Sequence, residues 1–234
     1  VEGERWALGA RPQERLTMHR LSLFSEGQGV RKILALGAHA DDIEIGCGGT
    51  LLRLLSERSD LEVTWVVFCS TPERAREAEA SAQRFLERAS RRRVIVKSHR
   101  DGFLPTEQAR VKEEFEELKA QVSPDLILTH FRDDRHQDHR VVSELTWNTW
   151  RNHAIWEFEI PKYDGDFGSP NLFVPLDPAT VERKIALVLE AFPTQAGKSW
   201  FTADLFRAVA RIRGMECAAP DRLAEAFYGR KLVV

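Results

Sequence analysis

Two short stretches carry the side chains that could do chemistry, "AHADD" at residues 38–42 and "HFRDDRHQDH" at residues 130–139. Consecutive side chains on a non-helical backbone diverge, so Asp41 and Asp42 are not expected to grip one ion in the same way. One ligates, and its neighbour faces the open position. His39 and Asp42 lie three apart in a tight turn and can converge, and zinc accepts an imidazole and a carboxylate together. Asp41 is then free to take a proton from a water activated by the ion. In the second stretch His136 and His139 are i and i+3, which on a helical turn places them on one face. If His139 completes a His-Asp-His set, three protein ligands leave one position open, as in catalytic zinc sites. His136 then stands nearby, suited to stabilise an oxyanion or protonate a leaving amine. Asp138 orients one of the imidazoles from behind.

Each cluster alone has a plainer explanation. Adjacent aspartates before a helix can serve as a cap and answer the helix dipole, and "DDRHQDHR" can be a solvated charged loop. The elements around the clusters favour a site. "RKILALGA" reads as a buried strand leading to a glycine-rich turn, and "GGTLLRLLSER" has apolar residues at helical spacing. "LEVTWVVFCS", "RVIVKS" and "PDLILTHF" are further strands, separated by the helices "PERAREAEASAQRFLERAS" and "TEQARVKEEFEELKAQV"; "DHRVVSELTWNTWRNH" is a fourth helix. Four strand–helix alternations predict a Rossmann-like, doubly wound α/β fold, mainly parallel, with helices on both faces. Ligands in such sheets sit beyond the C-terminal strand ends. Strands one and four are expected to be neighbours, so the two clusters meet in one crevice. From "AIWEFEIPKYDGDFGSPNLFVPL" onward the alternation breaks, suggesting an antiparallel strand pair or covering loop, then two helices and a last strand "FYGRKLVV".

Composition sets limits. The 234 residues are 43% hydrophobic and 30% charged, enough for one large core. The reading is a single domain over 1–234, with residues 1–30 a peripheral arm and 147–176 a lid or substrate segment. A formal net charge of -2 lacks the basic footprint of a nucleic-acid binder. The arginines of "RRRV" at 91–93 read as a solvated strand edge. No stretch has the apolar length of a membrane span, and a cytoplasmic location is expected. Cys47, Cys69 and Cys217 are too few and too widely spaced for a disulfide framework or a zinc ribbon.

"AHADD" followed by "GCGGT", with "HQDH" downstream after a strand, resembles the PIG-L/LmbE-like deacetylases. The family pattern is A-H-P-D-D and H-x-D-H on a Rossmann-like fold, and the resemblance runs from about residue 31 through residue 145. It implies a zinc-dependent hydrolase that removes acetyl from an N-acetylglucosamine-like amino sugar or glycoconjugate. Zinc, or another divalent metal such as Fe2+, would be held by His39, Asp42 and His139; Asp41 would be general base and His136 would assist the tetrahedral intermediate. The resemblance also hints at a homo-oligomer. Ala40 stands where the family has proline, so the turn loses a fixed φ but no liganding atom.

On the substrate side, Arg74 and Glu77 form the R-x-x-E arrangement that in the family associates the arginine with the sugar. Asp101 in "RDGFLP" follows the third strand and can bond a sugar hydroxyl. Aromatics and acids between 147 and 176 (Trp147, Trp150, Trp156, Phe158, Tyr163, Asp164, Asp166, Phe167) suit carbohydrate recognition. Gln195 and Lys198 are further candidates. Three other readings compete: a deacylase of another amide, a nucleotide or methyl-donor binder using "GCGG", and a two-metal phosphoesterase. For the binder the glycines come after the acids rather than directly after the strand, which is the wrong order for a phosphate loop.

Overall fold

Five runs of chain form parallel strands: β1 (Lys32–His39), β2 (Glu62–Cys69), β3 (Arg91–His99), β4 (Leu126–His130) and β5 (Ala154–Phe158). Two more, β6 (Leu172–Pro175) and β7 (Ala224–Gly229), are antiparallel, and the sheet order is β3-β2-β1-β4-β5-β7-β6. The structure is a computed structural model and describes residues 29–231. The doubly wound α/β expectation holds, with β1 and β4 adjacent at the switch point.

The helices are α1 (Asp42–Glu57), α2 (Pro72–Phe85), α3 (Gln108–Gln121), α4 (Gln137–Thr149), α5 (Pro178–Ala191) and α6 (Ala203–Glu216). Alternate residues of β1 feed two separate cores. Ile33 and Ala35 join α1, α2, α5 and α6, while Leu34, Leu36 and Ala38 join α3 and α4 on the opposite face. Burial on both faces explains why β1 reads as a continuous apolar run. At the β3 edge Arg91, Arg92 and Arg93 are exposed, charges of the kind that discourage edge-to-edge pairing.

Three expectations need correction. The "GCGG" stretch is no turn: helix α1 begins at Asp42, and Gly46, Gly48 and Gly49 lie inside it. They are there because the helix presses against its neighbours; a Cβ on Gly46 would lie 2.2 Å from the Phe158 ring, and one on Gly48 2.7 Å from Phe85. A glycine cradle for phosphate is therefore absent at this position. Second, β5 does not pair with β6. It continues the parallel sheet beside β4, and β7 inserts between them, antiparallel to both. The buried Glu157 broke the apolar pattern; it is satisfied by Trp147 Nε1 at 2.7 Å and by Arg132 and Arg230. Third, α2 stops at Phe85 rather than running to Ser90. The expected arm lies, apart from its last two residues, outside the described residues. No helix among the described residues is long and apolar enough to cross a membrane.

Candidate metal centre

The turn from β1 into α1 is held in an unusual shape. Asp41, the residue before the helix, has φ 122° and ψ -21° and makes no side-chain capping bond. A non-glycine residue at such a φ stores about 1–3 kcal/mol of strain, kept only where the surroundings impose it. Capping therefore does not account for this carboxylate. Asp42 Oδ2 accepts the His39 backbone N–H at 2.6 Å, folding the turn back on itself. From α2, Arg74 donates to the Ala40 carbonyl and lies 3.2 Å from Asp41 Oδ1.

The turn from β4 into α4 brings the second cluster. His136 is the N-cap of α4: its Nδ1 accepts the Asp138 N–H at 3.3 Å, which leaves the neutral ring's proton on Nε2. Asp138 accepts N–H groups from Gly102 at 2.6 Å and Leu104 at 3.0 Å, and also faces His39 Nε2 at 3.1 Å. Asp134 accepts from His139 Nδ1 at 2.9 Å.

With their outer nitrogens occupied by carboxylates, His39 turns Nδ1 inward and His139 turns Nε2 inward, 3.2 Å apart. Asp42 completes the group, Oδ2 3.3 Å from His39 Nδ1 and Oδ1 3.5 Å from His139 Nε2. Ligands bound to zinc at its usual distances in a tetrahedron are about 3.3 Å from one another, and each of these separations is close to that value, the two to Asp42 through different oxygens. Three overlapping sets of donors converge within 4.8 Å: His39–His136–His139, Asp42–His130–His139, and His39–Asp101–His136–Asp138. The trio His39, Asp42 and His139 draws on the first two.

The electrostatics agree with a cation-seeking site. Burial would raise Asp42, but His139, His130 and His39 around it hold it well below the carboxylate range. Burial would lower His139 and His39, and the acids beside each overcome it, raising both. His136 is lowered by burial and by its two histidine neighbours, which keeps it neutral. Asp41 is pushed up to about 7 by burial, with Arg74 opposing the shift. Two carboxylates adjacent in sequence are thus set far apart, one a ligand type and one a base type.

A family model described as "PIG-L: GlcNAc-PI de-N-acetylase" matches residues 34–150, half of the chain and both clusters. The chain belongs to the PIG-L family. Its enzyme class is that of the deacetylase hydrolases. Solved structures share the fold at low identity. The N,N'-diacetylchitobiose deacetylase of Pyrococcus horikoshii is 19% identical, with TM-score 0.65 over 92% of this chain and 88% of its own. The 4-carboxy-2-hydroxymuconate hydratase GalB of Pseudomonas putida is 16% identical, TM-score 0.64, over 87% and 98%. A zinc-inhibited form of a teicoplanin deacetylase is 14% identical, TM-score 0.58, over 85% and 95%. The hydratase shows that this architecture alone does not select deacetylation.

In this PIG-L chain the centre opens into a cavity of 530 Å³. Arg74, Asp101, Gln195 and Lys198 all line it. The Arg74 guanidinium, placed in the cavity wall, is engaged by Asp41, Glu77, Thr194 and the Ala40 carbonyl. Asp101 places Oδ1 3.1 Å from His39 Nε2 with its side chain 77% exposed. Of the expected 147–176 segment only Ile160, Lys162, Tyr163 and Asp164 reach the cavity. Trp150, Trp156 and Phe158 are core, Trp147 packs against Arg132 elsewhere, and Asp166 and Phe167 lie outside the lining.

Three residues of the centre were not singled out from sequence. His130, fully buried, stacks on His139 at 3.9 Å and lies 3.2 Å from Asp42 Oδ2. Its place as the last residue of β4 was the available signal. Asp134 was hidden among the acids of "RDDRHQDH". Lys162, more than twenty residues from the nearest motif, left no signal at all.

Proposed function

We propose that this chain is a divalent-metal-dependent N-deacetylase acting on an N-acetylated amino sugar or glycoconjugate, with residues 1–234 forming one catalytic domain. The observation that carries the reading is the convergence of His39 Nδ1, His139 Nε2 and Asp42 at mutual distances of 3.2–3.5 Å, beside an Asp41 that caps nothing. A metal ion held by these three would supply Lewis acidity, acidifying water and polarising the amide carbonyl.

The chain's own residues do the remainder. Asp41 takes the proton of the attacking water, and Arg74 keeps its carboxylate aimed. His136, neutral with the proton on Nε2, donates a hydrogen bond to the oxyanion that forms on the former carbonyl. The tetrahedral intermediate collapses when Asp41 returns its proton to the nitrogen, and acetate and the free amine leave. Asp138 and Asp134 orient the two imidazoles. Two nitrogens and one carboxylate suit zinc and ferrous iron alike. Three unpaired, buried cysteines accord with a reducing, cytoplasmic setting.

The test is to reconstitute the protein separately with zinc and ferrous iron and follow acetate release from N-acetylglucosamine, N,N'-diacetylchitobiose and O-linked N-acetylglucosaminides. Acetate and primary amine formed in equal amounts support the reading. Absence of turnover on every N-acetylated sugar, in protein that holds its metal, overturns it.

A further inference from the structure

Residues 159–171 join β5 to β6, and 160–164 contribute to the wall of the cavity. Within this stretch Lys162 is nearly buried, its side chain 9% exposed, and its ammonium lies between two carboxylates. Asp134 Oδ2 is 2.9 Å away and Asp166 Oδ2 is 2.6 Å away. Asp134 is itself buried, and the oxygen that meets Lys162 is the one that accepts from His139 Nδ1 at 2.9 Å. Its other oxygen accepts the His136 N–H at 2.8 Å. Asp166 accepts the Arg135 N–H at 2.7 Å, tying the same two segments together a second time. One ammonium thus joins the segment beside the cavity to the carboxylate that aims an expected metal ligand.

We propose that Lys162 is a positioning residue for the metal centre: by bridging Asp134 and Asp166 it fixes the Asp134 carboxylate against His139 and pins residues 160–166 to the metal end of the cavity. This rests on the metal reading above. An ammonium has three N–H donors, and here they go to Asp134, Asp166 and the Ile160 carbonyl at 3.4 Å. None is left for a substrate, although the residue lines the cavity. A carboxylate as buried as Asp134 needs a full cation or several strong donors to remain ionised. Asp134 meets three donors, His139 Nδ1, the His136 N–H and the Lys162 ammonium, and of these Lys162 is the lysine or arginine side chain. An ionised carboxylate on Nδ1–H makes the opposite nitrogen of His139 a better electron donor and fixes its orientation, and partners of this kind alter metal affinity by about 10–100-fold. A lysine that merely stapled a loop would affect stability and leave metal affinity alone.

The experiment measures zinc affinity by competition with a chromogenic chelator, together with thermal stability of the metal-free protein, for wild type and three variants. Lys162→Met is expected to bind zinc about 10–100-fold more weakly. Lys162→Arg, which retains the cation, should stay within about threefold of wild type. Asp166→Asn keeps the lysine but loosens its second anchor, and a loss of about three- to tenfold is expected. Wild-type affinity in Lys162→Met, whatever its melting temperature, overturns the proposal. If that variant does not fold, wild-type affinity in Asp166→Asn overturns it. Affinity is read independently of turnover, so a tight wild-type site with no deacetylation counts against the proposed function and leaves this inference standing. A wild type that binds no divalent ion removes both.

Discussion

Asp41 occupies a conformation that an aspartate adopts only under constraint, φ 122°, and the constraint is visible in Arg74 on its carboxylate and on the preceding carbonyl. At residue scale this yields three predictions. Asp41→Asn should retain one metal per chain and lose about 10²–10⁴ in kcat, the range for a general base; the check is steady-state kinetics at matched metal content. In wild type, kcat/KM should fall as pH drops and Asp41 takes up its proton. Burial sets that group at about 7 without metal, and a bound cation stabilises the charged form, so the acid limb should lie at or below that value. Arg74→Met should lower kcat about tenfold or more with little change in KM, since the guanidinium serves the base and the turn. A change confined to KM would return Arg74 to the substrate. The spacing of His39, Asp42 and His139 was readable because it is local within each motif, and Asp138 for the same reason. His130 and Lys162 were not, because their roles arise from contacts between separate segments, and Asp134 was not, because nothing set it apart from the other acids of its turn.

Helix α1 links the motif to the sheet through close packing. Gly46 faces the Phe158 ring so closely that an added Cβ would sit 2.2 Å from it, and the same ring lies 4.9 Å from His130, which stacks on His139. Gly46→Ala should therefore destabilise the protein by about 1–3 kcal/mol, the usual penalty of overpacking, and weaken metal binding through the displaced ring. Chemical denaturation and a metal competition assay would show both effects; full stability with unaltered affinity would contradict the packing argument. At this scale the strand–helix alternation was legible from residue 31 to about 149 because parallel strands buried on both faces read as uniform apolar runs. The "GCGG" helix was obscured because its glycines serve helix packing rather than a turn. β5 was obscured by Glu157, whose partners Arg132 and Arg230 lie far apart in sequence.

Across the whole molecule, stability and the site share buried charge. Glu44 is 1% exposed in the first turn of α1, and burial pushes its carboxyl up to about 8, with the Ser81 hydroxyl opposing the shift. The folded protein therefore holds a proton that the unfolded chain releases near the ordinary carboxylate pKa. The stability this group contributes is complete below about 4.5 and declines as pH rises from there through about 8. Glu44→Gln should remove that decline, so urea midpoints of metal-free wild type and variant should diverge from pH 5 to pH 8 in favour of the variant. Parallel curves would contradict it. Catalysis in this reading requires one metal held by His39, Asp42 and His139. X-ray absorption at the zinc edge, on protein carrying one equivalent, tests this most directly. The prediction is scattering from two imidazole rings at about 2.0–2.1 Å with oxygen completing the shell; a sulfur at about 2.3 Å, or no imidazole signature, would contradict it.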